Sequence, residues 1–191
     1  MPRKNEFKLD MVSVRLVKDA PVYSEHQIVS PEAAVNVVGD LLCEMDREML
    51  CIINLKANSK PINCNIVSIG ALNHTLAHPR EMLKSSILSN AANIIMMHNH
   101  PSGSLEPSRD DTMLTDRMIQ ICNLIEIPLL DHIIVAGDNT RYFSFKERGI
   151  MTNPLALYQT DYHELQFEQP VVAEKERKNS GRNRRGNGME R

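Results

Sequence analysis

Apolar residues change their spacing several times along the chain, and each change marks an expected element. Met11 to Val17 alternates apolar and polar positions and predicts an opening strand. Ser30-Pro31-Glu32 then supplies a cap, a proline for the first helical position and an early acid, so a helix is expected to about Met45. Leu50 to Leu55 and Ile62 to Ile69 are apolar, β-branched runs. The polar Asn58-Ser59-Lys60-Pro61 between them predicts a hairpin turn. Pro79-Arg80-Glu81 opens a second helix, whose apolar face would be Met82, Leu83, Ile87, Leu88 and Ala91. Asn93 to Met97 reads as a short buried strand. A third helix follows from Ser108, with Met113, Leu114, Met118, Ile121, Cys122 and Ile125 at helical spacing until Pro128. Leu129 to Val135 and Arg141 to Phe145 are the last two strands, around the turn Gly137-Asp138-Asn139. Strands interleaved with helices and hairpins predict a mixed α/β domain, a β-sheet flanked by helices.

Composition narrows this reading. The chain has 191 residues, 42% hydrophobic and 24% charged, which suits one soluble domain with tails. No run reaches the roughly 18 apolar residues of a membrane span. The basic start lacks an apolar segment behind it, since Asp10, Ser13 and Arg15 interrupt residues 9–17, so a cytoplasmic protein is expected. Cys43, Cys51, Cys64 and Cys122 form no Cys-x-x-Cys pair and read as reduced core residues. The net charge is −2, but residues 173–191 hold seven Lys or Arg against three Glu, leaving residues 1–172 at −6. That tail has too little to bury to offset the entropy of ordering it, and disorder is expected from about residue 165. Its Arg182-Asn183-Arg184-Arg185 could touch nucleic-acid phosphates without sequence preference, although such a terminus is more often a solubilising tail.

One stretch carries chemistry: His98-Asn99-His100-Pro101-Ser102-Gly103-Ser104-Leu105-Glu106-Pro107-Ser108-Arg109-Asp110-Asp111. Two histidines two apart at the end of an extended segment project to one side, so both imidazoles can meet one ion. The Pro/Gly loop returns the chain, and Asp111 lies in the first turn of the helix that Ser108 opens. A His, His, Asp set leaves a fourth tetrahedral position for water, as in a catalytic zinc site. Taken alone, Ser108-x-x-Asp111 could be no more than a capping box. The whole constellation favours metal, about one zinc per chain.

His98-x-His100, seven residues, Ser108, two residues, Asp111 resembles the JAMM motif of the JAB/MPN metalloproteases, and His-Asn-His-Pro-Ser-Gly is similar to the RadC-like branch in particular. Ser30-Pro31-Glu32, Asp46-Arg47-Glu48, Ser68-Ile69-Gly70, His78-Pro79-Arg80-Glu81 and Asp131-His132-Ile133-Ile134 look like further landmarks of that domain. The resemblance covers residues 30–150 and implies a JAB/MPN fold, with residues 1–29 as strand and connector and 151–191 as a C-terminal extension. Residues 1–29 are too short for the helix-hairpin-helix of full-length RadC proteins, so a stand-alone bacterial form is expected. The resemblance implies Glu48 as the residue that handles the water proton and Ser108 as an oxyanion donor. The residues by themselves leave Glu32, Glu44, Glu48 and Glu81 equal in this role. Asp131 and His132 are candidates to orient a metal-binding imidazole, or merely a local pair; His78 and Arg80 could bind an anion, or only start a helix.

The function expected from all this is a zinc metallopeptidase acting on a peptide or protein substrate. The alternatives are a DNA-repair-associated accessory protein and a non-catalytic JAB interaction module. The acidic body and the intact His98, His100, Asp111 and Ser108 weigh against them. A zinc deaminase is excluded, because its His-x-Glu and Pro-Cys-x-x-Cys are missing. Oligomeric state is not legible.

Overall fold

The buried apolar runs form the middle of a sheet, and the amphipathic ones cover it. The structure, a computed structural model, describes residues 11, 13–19, 21–24, 26–70, 78–137 and 140–151. In chain order the elements are α1 (Pro31–Cys43), β1 (Met49–Leu55), β2 (Pro61–Ile69), α2 (Pro79–Met82), α3 (Lys84–Leu88), β3 (Asn93–Asn99), α4 (Arg109–Leu124), β4 (Leu129–Val135) and β5 (Tyr142–Ser144). The sheet order is β2-β1-β3-β4-β5. Only β3 and β4 run parallel, because α4 carries the chain back between them; the other neighbours are antiparallel.

β1 lies inside the sheet and is buried along its whole length, which explains its continuous apolar run rather than an alternation. Cys51, Ile53, Ile95, Met97, Ile133 and Val135 pack on one face beneath Val35, Val38 and Leu42 of α1. Leu50, Ile52, Ile94 and Met96 face the other way, against Met82 and Leu83 and against Met118, Ile119 and Cys122 of α4. Each such side chain contributes about 1.5–3 kcal/mol when fully buried. The sheet flanked by helices on both faces is that of a JAB/MPN fold. Ser30 caps α1 as expected, its Oγ accepting from the Ala33 amide at 3.1 Å. All four cysteines are free. Among the described residues no helix is long and apolar enough to cross a membrane.

Four expectations change. The described residues of 11–17 form no strand and lie exposed, Met11 and Val17 almost fully, and they pair with none of the described strands. The second helix breaks at Leu83 into α2 and α3, and Ile87 and Leu88 point outward while Ser85 and Ser86 are buried. The orientation follows from hydrogen bonding: Asn54 Nδ2 donates to Asn63 Oδ1 (2.6 Å) and Ser85 Oγ (3.1 Å), and Asn63 Nδ2 donates to Ser89 Oγ (2.7 Å). Pairing the amide nitrogens of Asn54 and Asn63 overrides the apolar periodicity, although Asn54 Oδ1 and Ser86 Oγ stay buried without a partner. Met113 of α4 is half exposed, because the inward face of the helix starts with Asp111, Thr112 and Thr115. Finally, β3 runs two residues further than expected and takes in His98 and Asn99. The tail from about residue 165 lies outside the described residues, as do Asp138 and Asn139 of the last turn.

Candidate metal centre

Strand alternation puts His98 on the same face as Ile94 and Met96, under α4, and His100 follows one residue beyond the strand end on the same side. Gly103 then turns the chain with φ of 76°, a conformation that glycine adopts without a Cβ clash. His100 Nδ1 lies 2.9 Å from the Ser104 carbonyl. A carbonyl only accepts, so Nδ1 carries the hydrogen and Nε2 faces inward.

The loop delivers Ser108 as the N-cap of α4. Its Oγ accepts from the Asp111 amide at 3.1 Å, and Asp111 Oδ2 accepts from the Ser108 amide at 2.7 Å. This is a capping box with Asp in the third position, so the structural reading of the pair holds. Nothing in it excludes the other reading, because Asp111 also turns its carboxylate to the histidines. His98 Nε2 is 3.2 Å from Asp111 Oδ1, His100 Nε2 is 3.5 Å from Oδ2, and the two Nε2 atoms are 3.0 Å apart. All three residues are buried, and one ligand atom from each lies within 4.8 Å of the others. Two imidazole nitrogens and one carboxylate oxygen fit a borderline-soft divalent ion such as zinc.

The carboxylate and the imidazole beside it perturb one another. Burial would raise the Asp111 carboxyl, but the flanking His100 and His98 outweigh it and hold it well below the usual carboxylate range. Burial likewise opposes charge on His100, yet the Asp111 hydrogen bond and charge leave that imidazole above its ordinary value.

In front of the triad opens a pocket of about 220 Å³, lined by Glu48, Glu106 and Ser108 together with His100 and Asp111. Of the four glutamates that the sequence leaves equal, Glu48 is the one on this wall. Glu32 and Glu44 belong to the two ends of α1, and Glu81 pairs with Lys84 on the surface. Glu48 is held through its backbone. Asn99, between the two histidines but on the opposite side of β3, accepts from the Met49 amide at 2.7 Å through Oδ1. Its Nδ2 donates to the Arg47 carbonyl at 3.1 Å, and the Gly70 amide donates to the Glu48 carbonyl at 2.8 Å. Sequence reasoning passed over Asn99, Thr115 and Glu106. For Asn99 a signal existed, since an amide between two strand-end histidines has to find partners somewhere.

Asp131 and His132 are separated by the alternation of β4. His132 is fully buried behind His98, whereas Asp131 shares the face of Ile133 and Val135. Asp131 accepts from Ser144 Oγ at 2.6 Å and from the Lys146 amide at 3.0 Å and has no part in the triad. Burial pushes its carboxyl up to about 6 despite those two bonds. The folded protein thus takes up this proton at a higher pH than the unfolded chain. The charged carboxylate costs stability above pH 6, by about 3 kcal/mol at most, and the cost disappears as the pH falls below about 4. Asp131→Asn keeps an oxygen for Lys146 and offers an amide hydrogen to Ser144 Oγ. Its melting temperature at pH 7 should equal or exceed that of the parent, with the difference shrinking toward pH 5. A difference constant over that range would show that the carboxylate carries no such penalty. His78 and Arg80 start a four-residue helix, and neither lines the pocket.

The profile of the RadC-like JAB domain matches residues 28–150. The chain belongs to the RadC-like JAB family. A UPF0758 protein of Clostridium acetobutylicum is 42% identical over 125 residues, covering 65% of this chain and 54% of that protein. One from Methanosarcina acetivorans is 38% identical over 127 residues, covering 66% and 55%. A third, from Clostridioides difficile, is 42% identical over 127 residues, covering 66% and 53%. The chain therefore spans about half the length of these RadC-like relatives.

Proposed function

We propose that this RadC-like JAB domain is a zinc-dependent metallopeptidase that hydrolyses a peptide or isopeptide bond. The observation that carries the reading is the convergence of His98 Nε2, His100 Nε2 and the Asp111 carboxylate, with His100 and Asp111 reaching an open pocket whose wall includes Glu48 and Ser108. His98, His100 and Asp111 would hold the ion, which when bound supplies Lewis acidity that brings water ionisation toward neutral pH.

The remaining steps fall to the chain's own groups. Glu48, with a carboxylate on the pocket wall, accepts the proton of the attacking water and passes it to the leaving amine nitrogen. Ser108 Oγ uses a lone pair on the Asp111 amide, so its hydrogen remains available for the oxyanion that develops on the scissile carbonyl. The Asn99 clamp keeps Glu48 from drifting, and a misplacement of about 1 Å can cost a hundredfold in rate.

The test is cleavage of a peptide library and of isopeptide-linked conjugates by the zinc-loaded protein. Cleavage that stops with a chelator and returns with added zinc supports the proposal. A protein that binds zinc stoichiometrically yet cleaves neither substrate class would favour the interaction-module reading instead.

A further inference from the structure

We infer that His132 and Thr115 are positioning residues, forming a hydrogen-bond relay that keeps the ring hydrogen of His98 on Nδ1 and so presents Nε2 to the metal centre. The inference rests on the metal reading above and adds two residues outside the ligand set.

The relay is traced by counting hydrogens, starting on α4. Thr115 lies one turn beyond Asp111, and its Oγ1 donates to the Asp111 carbonyl at 2.6 Å. A hydroxyl has one hydrogen, so toward His132 Nδ1, also 2.6 Å away, Oγ1 can only accept. His132 Nδ1 therefore carries a hydrogen. In the neutral ring Nε2 is then a lone pair, and it lies 2.8 Å from His98 Nδ1. His98 must donate there through Nδ1, which leaves its Nε2 as the atom facing Asp111 Oδ1 and His100 Nε2. His100 has its Nδ1 hydrogen placed by the Ser104 carbonyl, so both imidazoles turn the same nitrogen inward.

Packing holds the relay in this order. His132 is fully buried and stacks on Phe145, with ring centroids 4.8 Å apart and planes 7° from parallel, and Phe143 meets Phe145 edge-on. The Phe145 amide donates to the His132 carbonyl at 3.0 Å, fixing the strand end beneath the ring. Asp111 stands at both ends of the path: its carbonyl anchors Thr115 and its carboxylate faces His98. The relay thus couples the ligand from β3 to the ligand from α4 through a residue of β4. Partners of this kind fix the tautomer of a metal-binding imidazole, and their loss commonly costs about tenfold to a hundredfold in metal affinity.

The experiment compares the 191-residue parent with His132→Leu, His132→Gln and Thr115→Val. Zinc affinity is read by chelator competition, the His98 tautomer by imidazole 15N NMR of the metal-free protein, and folding by thermal melting. The expected results are a hydrogen on His98 Nδ1 in the parent and a tenfold to hundredfold loss of zinc affinity in His132→Leu. Recovery of most of that loss is expected in His132→Gln, whose Oε1 can accept from His98, with a smaller loss in Thr115→Val. Zinc affinity within twofold of the parent in a folded His132→Leu protein, or a parent His98 protonated on Nε2 alone, would overturn the relay. If His132→Leu does not fold, Thr115→Val and the parent's His98 tautomer decide the matter: lost zinc affinity in a folded Thr115→Val protein supports the relay, and affinity within twofold of the parent overturns it. A parent that shows the Nδ1 tautomer but binds no zinc would contradict the metal reading and leave the relay standing.

Discussion

Glu48→Gln is expected to lower peptide hydrolysis by about a hundredfold to ten-thousandfold while the protein keeps its metal. Glutamine matches glutamate in size and still lines the pocket, so the ligands behind it are undisturbed, but it cannot take up a proton near neutral pH. The Asn99 contacts reach the backbone of residues 47 and 49, the Gly70 amide reaches the carbonyl of residue 48 itself, and all survive the exchange. The loss should therefore appear in kcat, with zinc content and melting temperature close to those of the parent. Glu106→Gln is the control, because Glu106 is the other glutamate on the pocket wall and is assigned no proton transfer. If Glu48→Gln hydrolyses as fast as the parent and Glu106→Gln does not, the base is Glu106.

Asp111→Asn should fail in a different way, losing the metal itself. Asparagine can still accept from the Ser108 amide, which Asp111 Oδ2 now does at 2.7 Å, so the cap of α4, worth about 1 kcal/mol, is largely retained. Its amide nitrogen would then replace Oδ1 and turn hydrogens toward His98 Nε2, where the carboxylate now supplies negative charge. Zinc affinity should fall by more than the roughly hundredfold that outer-shell changes cost, since a ligand and a full charge are removed together. The metal-free variant should melt within a few degrees of the metal-free parent. Equal zinc affinity in the two proteins would reduce Asp111 to a helix cap.

The sequence disclosed the local parts of this centre and concealed the contacts between distant strands. His98-x-His100 was legible because strand geometry alone sends both side chains to one side, and Ser108-x-x-Asp111 because capping is a four-residue affair. The hairpin of β1 and β2, the cap of α1 and the limits of β4 were legible for the same reason. Glu48 required the family resemblance, as its place on the pocket wall depends on Leu50 pairing with His98. The partners of Asn99 lie about 50 residues away and those of His98 in the relay 34, so no window of sequence holds them both. His132 was singled out together with Asp131, and only the alternation of β4 shows which of the two faces the histidines. Residues 11–17 mark the opposite failure. Alternation there satisfies the local pattern of a strand, but among the described residues none of it pairs into the sheet.

The central claim is tested most directly by elemental analysis of the purified protein beside His98→Ala and His100→Ala. About one zinc per chain in the parent, lost in both variants while they remain folded, is the predicted result. Zinc content unchanged in either variant, or a parent that takes up no divalent ion, would contradict the account.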